Sequence, residues 1–282
     1  MQLTKLVHDT ESLQEALAEL AVAGKRIALV PTMGALHAGH VSLVELAKEH
    51  ADEVIVYVFV NPKQFGPNED YGKYPRTLDA DVKMASAAGV AIVYAPSPAD
   101  VYPAGFSTSV SVGPLSTILD GKSRPGHFDG VATVLAKMFM RMLPHVAVFG
   151  EKDYQQLCVI RRFVEDLDFP IEIVGAPTMR EADGLAMSSR NVYLSKEERA
   201  IAPKLNEVLR SVGQAIASRS APVKSLLDQG VVALSKAGFK VDYLELCDED
   251  TLEPVEIFDA STRLLAAAWL GNTRLIDNIA VE

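Results

Sequence analysis

What most constrains this chain is an alternation, from the N-terminus to Val174, between short and almost wholly apolar runs and amphipathic stretches. Residues 26–30, 54–60, 91–94, 146–149 and 171–174 are the apolar runs. They read as strands covered on both faces, because a strand with one wet face alternates apolar with polar residues. Between them, 11–23, 39–50, 77–88, 128–143 and 153–167 read as helices. In the first of these Leu13, Ala16, Leu17, Leu20 and Ala21 form one stripe, and Gly24 stops it. Strand and helix alternating at this interval predict an α/β fold, a Rossmann-like doubly wound parallel sheet.

After about Arg180 the pattern changes. Residues 197–218 read as one long helix and 223–237 as another, while 240–247, 263–268 and 275–279 read as strands with no helix between them. The expected organisation is therefore a Rossmann-like domain over 1–178 and a smaller α+β domain over 179–282. A length of 282 residues suits two domains at roughly 150 residues each. Two long segments lack periodicity, 61–76 and 96–124, and loops of that length in a compact domain are commonly functional.

Composition narrows the functional classes. The chain carries 37 acidic against 27 basic side chains, a net charge of −10, with no Lys/Arg-rich run. A protein built to coat phosphate backbones needs a basic stripe, so a nucleic-acid partner is not expected. Apolar runs such as 54–60 and 264–270 fall far short of the roughly 20 residues that span a bilayer, so no membrane partner is expected either. The N-terminal Met1-Gln2-Leu3-Thr4-Lys5 lacks the basic start and apolar block of a secretory signal. Cys158 and Cys247 form no CxxC spacing and read as reduced, buried residues of a cytoplasmic protein.

Three segments carry chemistry. PTMGALHAGH (31–40) follows the first apolar strand and opens a helix, at the carboxyl edge where open α/β sheets bind ligands. A helix N-terminus supplies free N–H groups and a positive dipole end. His37 and His40, three apart, project to one side of the first turn. Two imidazoles beside bound phosphates could donate to charge developing there, although a cap or half a metal site would use the same spacing. No third ligand with zinc spacing is visible. GEKDYQQ (150–156) stands at another strand-to-helix junction. There Lys152 is a mobile point charge, Asp153 an N-cap or a ligand, and Gln156 both donor and acceptor. MSSRN (187–191) sets hydroxyls before a guanidinium, a composition that serves a phosphate clamp or an ordinary loop.

HxGH directly after an apolar strand resembles the signature of the nucleotidyltransferase superfamily that includes class I aminoacyl-tRNA synthetases. The resemblance sharpens when PTMGALHAGH, FVNPKQF (59–65), YPRT (74–77), RPGHFDGV (124–131), GEKDYQQ, DGLAMSSRN (183–191) and AAWLGNTRLIDN (267–278) are taken in that order. Together they resemble the pantothenate synthetase family, the pantoate–β-alanine ligases, over essentially the whole chain.

That resemblance implies condensation of pantoate with β-alanine through a pantoyl adenylate, with ATP cleaved to AMP and pyrophosphate. ATP is expected along Met33, Gly34, Ala35, Leu36, His37, Ala38, Gly39 and His40. It would continue along Gly150, Glu151, Lys152 and Asp153, then Met179, Met187, Ser188, Ser189 and Arg190. The catalytic group is His40, His37, Lys152 and Arg190, with His40 the family's proton donor. Gln64 and Gln156 are expected on pantoate's hydroxyls, with Asn61, Tyr74 and Arg124 orienting the β-alanine end. Mg²⁺ is expected as a companion of ATP, held mainly by its phosphates, with Asp79, Asp81 and Asp153 as alternative partners of its bound waters, among which the sequence does not choose. The loop 66–73 and the second domain are expected to close over the adenylate, and the family implies a homodimer. Two rivals remain from the same residues: an AMP transferase acting on a phosphate, and a catalytically silent nucleotide sensor.

Overall fold

Parallel strands need crossovers long enough to bring the chain back to the same end of the sheet, and the helices between the apolar runs supply them. The structure, a computed structural model, describes residues 4–67 and 69–281. The chain forms two units, Met1–Glu151 with Val159–Pro177, and Lys152–Cys158 with Thr178–Glu282.

In the first unit the order is β1 (Lys5–Val7), α1 (Thr10–Val22), β2 (Ile27–Thr32), α2 (Ala38–His50), β3 (Glu53–Val58), α3 (Leu78–Ala87) and β4 (Ile92–Tyr94). Then come α4 (Pro98–Val101), α5 (Asp120–Ser123), α6 (His127–Met142), β5 (Val146–Gly150), α7 (Tyr154–Asp166) and β6 (Glu172–Ala176). The six strands lie in the order β1-β4-β3-β2-β5-β6 and every pairing is parallel. This is the doubly wound sheet expected from the alternation. β1 was not legible: it is a three-residue edge strand with two exposed positions, too short to show a period.

Ala28, Val30, Val54, Val56, Val93, Val146 and Val148 pack against Leu43, Val44 and Ala47 of α2 and Ala85 of α3. Their neighbours Leu29, Ile55 and Ala147 are equally buried, because successive side chains leave a strand on opposite faces. Each valine, leucine or isoleucine among them contributes roughly 1.5–3 kcal/mol of burial. On that basis the near-continuous apolar runs are what a two-sided sheet requires. The sheet changes direction between β2 and β5, which neighbour each other while their following strands lie on opposite sides. In doubly wound folds the carboxyl ends at such a point form the ligand crevice.

The second unit contains α8 (Lys196–Ile201), α9 (Lys204–Ala217), α10 (Val223–Lys236) and the strands β7 (Lys240–Asp248), β8 (Thr262–Leu270) and β9 (Thr273–Ala280). The strands form an antiparallel sheet in sequence order. The single helix expected over 197–218 is two. Pro203 has no N–H to continue the ladder of α8 and serves as N-cap of α9. Leu205, Leu209, Val212 and Ile216 of α9 meet Leu226 and Leu234 of α10 and Leu244, Leu264 and Ala266 of the sheet. The chain passes from the first unit to the second within the 3-10 turn Glu151–Asp153 and back within α7, so Lys152–Cys158 groups with Thr178–Glu282, whose start is close to the expected boundary at 179.

Candidate active site

The first cluster grows from the end of β2. Thr32 donates its hydroxyl to the Tyr57 carbonyl at 2.9 Å and accepts the Gly34 N–H at 3.1 Å, which turns the chain out of the sheet. Gly34 and Ala35 then take positive φ values of 82° and 51°. The main-chain N–H groups of Ala35 and Leu36 converge on Asp81 of α3, donating to Oδ2 at 3.0 Å and Oδ1 at 2.8 Å. The Thr77 hydroxyl donates to Oδ1 at 3.1 Å, and Asp81 is only 2% exposed.

Beyond this loop His37 and His40 cap α2 reciprocally. Nδ1 of His37 accepts the Gly39 N–H at 3.1 Å, and Nδ1 of His40 accepts the His37 N–H at 3.2 Å. The ring centroids are 4.1 Å apart. A backbone N–H can only donate, so both Nδ1 atoms are acceptors and a neutral ring carries its hydrogen on Nε2. The cap alternative is the one the structure contains, and capping sets the tautomer in which each neutral ring has Nε2–H as its donor.

The second cluster is the 61–67 segment. Pro62–Gln64 is a 3-10 turn capped by the Asn61 side chain, which accepts the Lys63 N–H. Asn61 Nδ2 donates to Gln64 Oε1 at 3.1 Å and to the Gly130 carbonyl at 3.0 Å, while Asn61 Oδ1 accepts the Tyr102 hydroxyl at 2.8 Å. Gln64 Nε2 donates to Met33 Sδ at 3.2 Å, so Gln64 and the PTMGALHAGH loop are brought together. Helix α6 approaches this turn so closely that a Cβ on Gly130 would lie 2.2 Å from the Lys63 carbonyl oxygen.

Arg124 does not stand alone. Its Nε and Nη2 donate to the two Glu69 oxygens, each at 2.7 Å, and its Nη1 lies 2.9 Å from His127 Nε2. His127 Nδ1 is 2.7 Å from the Gln64 carbonyl oxygen. Arginine only donates, so His127 Nε2 accepts, and Nδ1–H donates to Gln64. Burial, reinforced by the Arg124 charge, pulls the His127 imidazole down to about 4. Burial pushes the Glu69 carboxyl up, but the Arg124 hydrogen bonds and charge outweigh it and leave the group below its ordinary value. Tyr74 is buried with its ring edge-on to Phe65, 5.9 Å between centroids.

Gly150 ends β5 next to β2 in the sheet, and Glu151 follows it in a 3-10 turn, Glu151–Asp153. In the second unit Lys152 lies 3.6 Å from the exposed carboxylate of Asp153, and Gln156 sits in the first turn of α7. The Lys152 carbonyl accepts from Asn278 Nδ2 at 3.0 Å. Met179 and Met187 are joined by a main-chain bond, Met187 N–H to Met179 carbonyl at 3.0 Å, at the base of a hairpin paired between Arg180 and Ala186. Ser188 then accepts the Arg190 N–H at 3.3 Å, at the start of the 3-10 turn Ser189–Tyr193. Arg180 holds this hairpin to β9 with a two-pronged bond to Asp277, at 2.7 and 2.9 Å.

Several residues that shape these clusters escaped the sequence reading: Glu69, Tyr102, His127, Asp277 and Asn278. His127, Asp277 and Asn278 lie inside recognised motifs, which was the available signal. Asp81 was read as a partner of Mg²⁺, yet its two oxygens already receive three protein donors. Among the described residues no group of three or more His, Cys, Asp or Glu side chains could hold a metal ion, and no helix is long and apolar enough to cross a membrane.

Comparison with known proteins places the chain in a family. The family model described as pantoate-beta-alanine ligase matches residues 5–280. The pantothenate synthetase of Rhizorhabdus wittichii is 52% identical over 99% of both chains. That of Paramagnetospirillum magneticum is 55% identical over 92% of this chain and 91% of its own. Among solved structures, pantothenate synthetase from Thermus thermophilus superposes with a TM-score of 0.91 at 46% identity, covering 99% of each chain. Pantoate-beta-alanine ligase from Francisella tularensis, complexed with beta-gamma ATP and beta-alanine, gives 0.82 at 35% identity, covering 98% of this chain and 97% of its own. The chain belongs to the pantoate–β-alanine ligase family.

Proposed function

We infer that this chain condenses pantoate with β-alanine to pantothenate at the expense of ATP, and that it does so in two steps. A carboxylate resists amine attack because oxide is a poor leaving group. In the first step a pantoate carboxylate oxygen attacks the α-phosphorus, the bond to the β-phosphate oxygen breaks, and pyrophosphate leaves. In the second, the β-alanine amine attacks the acyl carbon of the pantoyl adenylate, loses a proton, and AMP departs. The relative solved with beta-gamma ATP and beta-alanine supports both ends of this reaction.

The observation that carries the reading is the reciprocal cap of His37 and His40, which leaves two Nε2–H donors at the mouth of a parallel sheet. Donors fixed before the reaction stabilise charge that develops only in the transition state. His40 donates to the phosphoryl oxygens as the charge spreads, with His37 beside it. Met33, Gly34, Ala35, Leu36, Ala38 and Gly39 line the nucleotide. So do Gly150, Glu151, Lys152, Asp153, Met179, Met187, Ser188, Ser189 and Arg190. Lys152 and Arg190 supply the cations that let two anions approach. Gln64 and Gln156 grip pantoate's hydroxyls, while Asn61 and Arg124 act by holding Gln64; Tyr74 walls the β-alanine end.

Mg²⁺ belongs to this proposal as a companion of the nucleotide: the phosphates would hold it, and when bound it would supply positive charge beside them. Asp81 does not fit as its ligand, since its lone pairs are directed at Ala35, Leu36 and Thr77. A homodimer and a cytoplasmic location complete the reading. The buried thiols of Cys158 and Cys247, neither of them in a disulfide, suit a reducing compartment.

The test is pyrophosphate release from ATP and Mg²⁺, first with pantoate alone and then with β-alanine added. A stoichiometric burst that turns into steady turnover with AMP formation supports the two-step ligase. Absence of pantoate-dependent release from folded protein would sink it and favour an AMP transferase with another acceptor.

A further inference from the structure

We propose that Asn278, on β9, is a positioning residue for Lys152: its side-chain amide fixes the main-chain carbonyl from which the Lys152 ammonium reaches the nucleotide's phosphates. The inference rests on the phosphate role given to Lys152 above. It also accounts for the end of the AAWLGNTRLIDN motif, for which the reaction itself has no direct use.

Asn278 is 5% exposed. Its Nδ2 donates to the Lys152 carbonyl at 3.0 Å, and its Oδ1 accepts Arg263 Nη1 at 2.8 Å. A carbonyl cannot donate and a guanidinium cannot accept, so the two neighbours allow only this orientation of the amide. The Arg263 guanidinium carbon in turn lies 3.7 Å from the centroid of the Tyr154 ring. Asn278 and Arg263, bonded to each other, therefore hold the residues on either side of Asp153. Lys152 needs such an anchor more than most residues do. It stands in a three-residue 3-10 turn, Glu151–Asp153, that leads directly into α7. Its own side chain is a flexible four-carbon stem, so the ammonium is placed only as well as the backbone beneath it.

Asn278 is itself pinned. Its N–H donates to Asp277 Oδ1 at 2.8 Å, and Asp277, 3% exposed, is held by the Arg180 fork and by Asn206 Nδ2 at 3.0 Å. Two adjacent residues of one strand thus anchor two segments of the second unit. Asp277 anchors the hairpin that carries Met179 and Met187, and Asn278 anchors the turn that carries Lys152.

The experiment is a double-mutant cycle on the binding of an ATP analogue that cannot be cleaved at the reacting bond, α,β-methylene ATP with Mg²⁺, to the full chain. Lys152→Ala is expected to weaken the analogue about tenfold, and Asn278→Asp, which sets a carboxylate against the Lys152 carbonyl, about fivefold. In the Lys152→Ala background the Asn278→Asp change should cost less than about twofold, because its effect passes through a side chain already gone. Asn278→Ala, which removes the donor without adding charge, should behave in the same direction and keeps the test if the aspartate variant does not fold. The KM for β-alanine should not move in either. Independent, multiplying losses in folded variants, or wild-type affinity in both Asn278 variants, would overturn the proposal. Wild-type affinity in Lys152→Ala alone would instead overturn the phosphate role of Lys152, and the positioning role with it.

Discussion

The Leu36 N–H donates to Asp81 Oδ1 at 2.8 Å, so the loop that leaves β2 is tied to the first turn of α3 by a buried carboxylate. The adjoining Ala35 N–H takes the other oxygen while Ala35 sits at φ 51°. A non-glycine residue in that region costs roughly 1–2 kcal/mol, and the carboxylate is what offsets it. The histidine pair follows directly, so its placement depends on a residue more than forty positions away in sequence.

Asp81→Asn replaces an acceptor for converging N–H groups by an amide that must point a donor at one of them. Stability should fall by about 1.5–3 kcal/mol in urea unfolding, and the pantoate-dependent burst should slow. The Mg²⁺ concentration for half-maximal rate should stay where it is. Unchanged stability with a shifted Mg²⁺ requirement would make Asp81 an ion ligand after all.

Gly130→Ala puts a Cβ 2.2 Å from the Lys63 carbonyl oxygen, a backbone atom that cannot swing away. The 3-10 turn that carries Gln64 must move. The expected result is about 1–3 kcal/mol of lost stability and a KM for pantoate raised several-fold more than that for ATP. Equal effects on both substrates would detach Gln64 from pantoate.

His127 is buried neutral, with its imidazole brought down to about 4 by burial and then by the Arg124 charge, against the weaker upward pull of the Gln64 carbonyl, Glu69 and Asp120. The unfolded chain binds a proton at about pH 6.5 that the folded chain refuses until about pH 4. Stability should therefore rise with pH across that window, by about 3 kcal/mol from this group, and be lost as pH falls through it. In His127→Asn, which keeps a donor for the Gln64 carbonyl and does not titrate, the slope between pH 4 and 6.5 should flatten. Melting temperatures of the two proteins across that range decide it.

His40→Ala should abolish adenylation while leaving ATP binding nearly intact, because the lost Nε2–H acts on charge that appears only in the transition state. Gln64→Ala should weaken pantoate far more than ATP. Titration calorimetry with each ligand, beside the burst assay, separates the two. Substantial burst activity in His40→Ala would remove it from the chemistry.

Much of the architecture was legible because apolar runs and helical stripes are local signals. The runs at 54–60 and 146–149 each mark a strand, β3 and β5, whose burial pattern is almost continuous. β1 and the break at Pro203 were lost for local reasons of their own: three residues carry no period, and an apolar stripe can run on past the proline that divides it.

The candidate site divides differently. The sequence by itself determined which residues are present at strand ends: two histidines at helical spacing after β2, Lys152 after β5, and hydroxyls before Arg190. Such motifs are contiguous and can be read along the chain. What only the tertiary structure decided is how each is held. The His37 and His40 tautomers follow from backbone donors; the Gln64 turn depends on Asn61, Gly130 and the Glu69–Arg124–His127 chain. Lys152 depends on Asn278 from the far end of the polypeptide. Apart from the local histidine caps and the Asn61–Gln64 bond, those partners lie tens to more than a hundred residues apart in sequence. A hydrogen bond between them leaves no periodicity behind, only a polar residue in a buried position whose partner appears once the chain has folded.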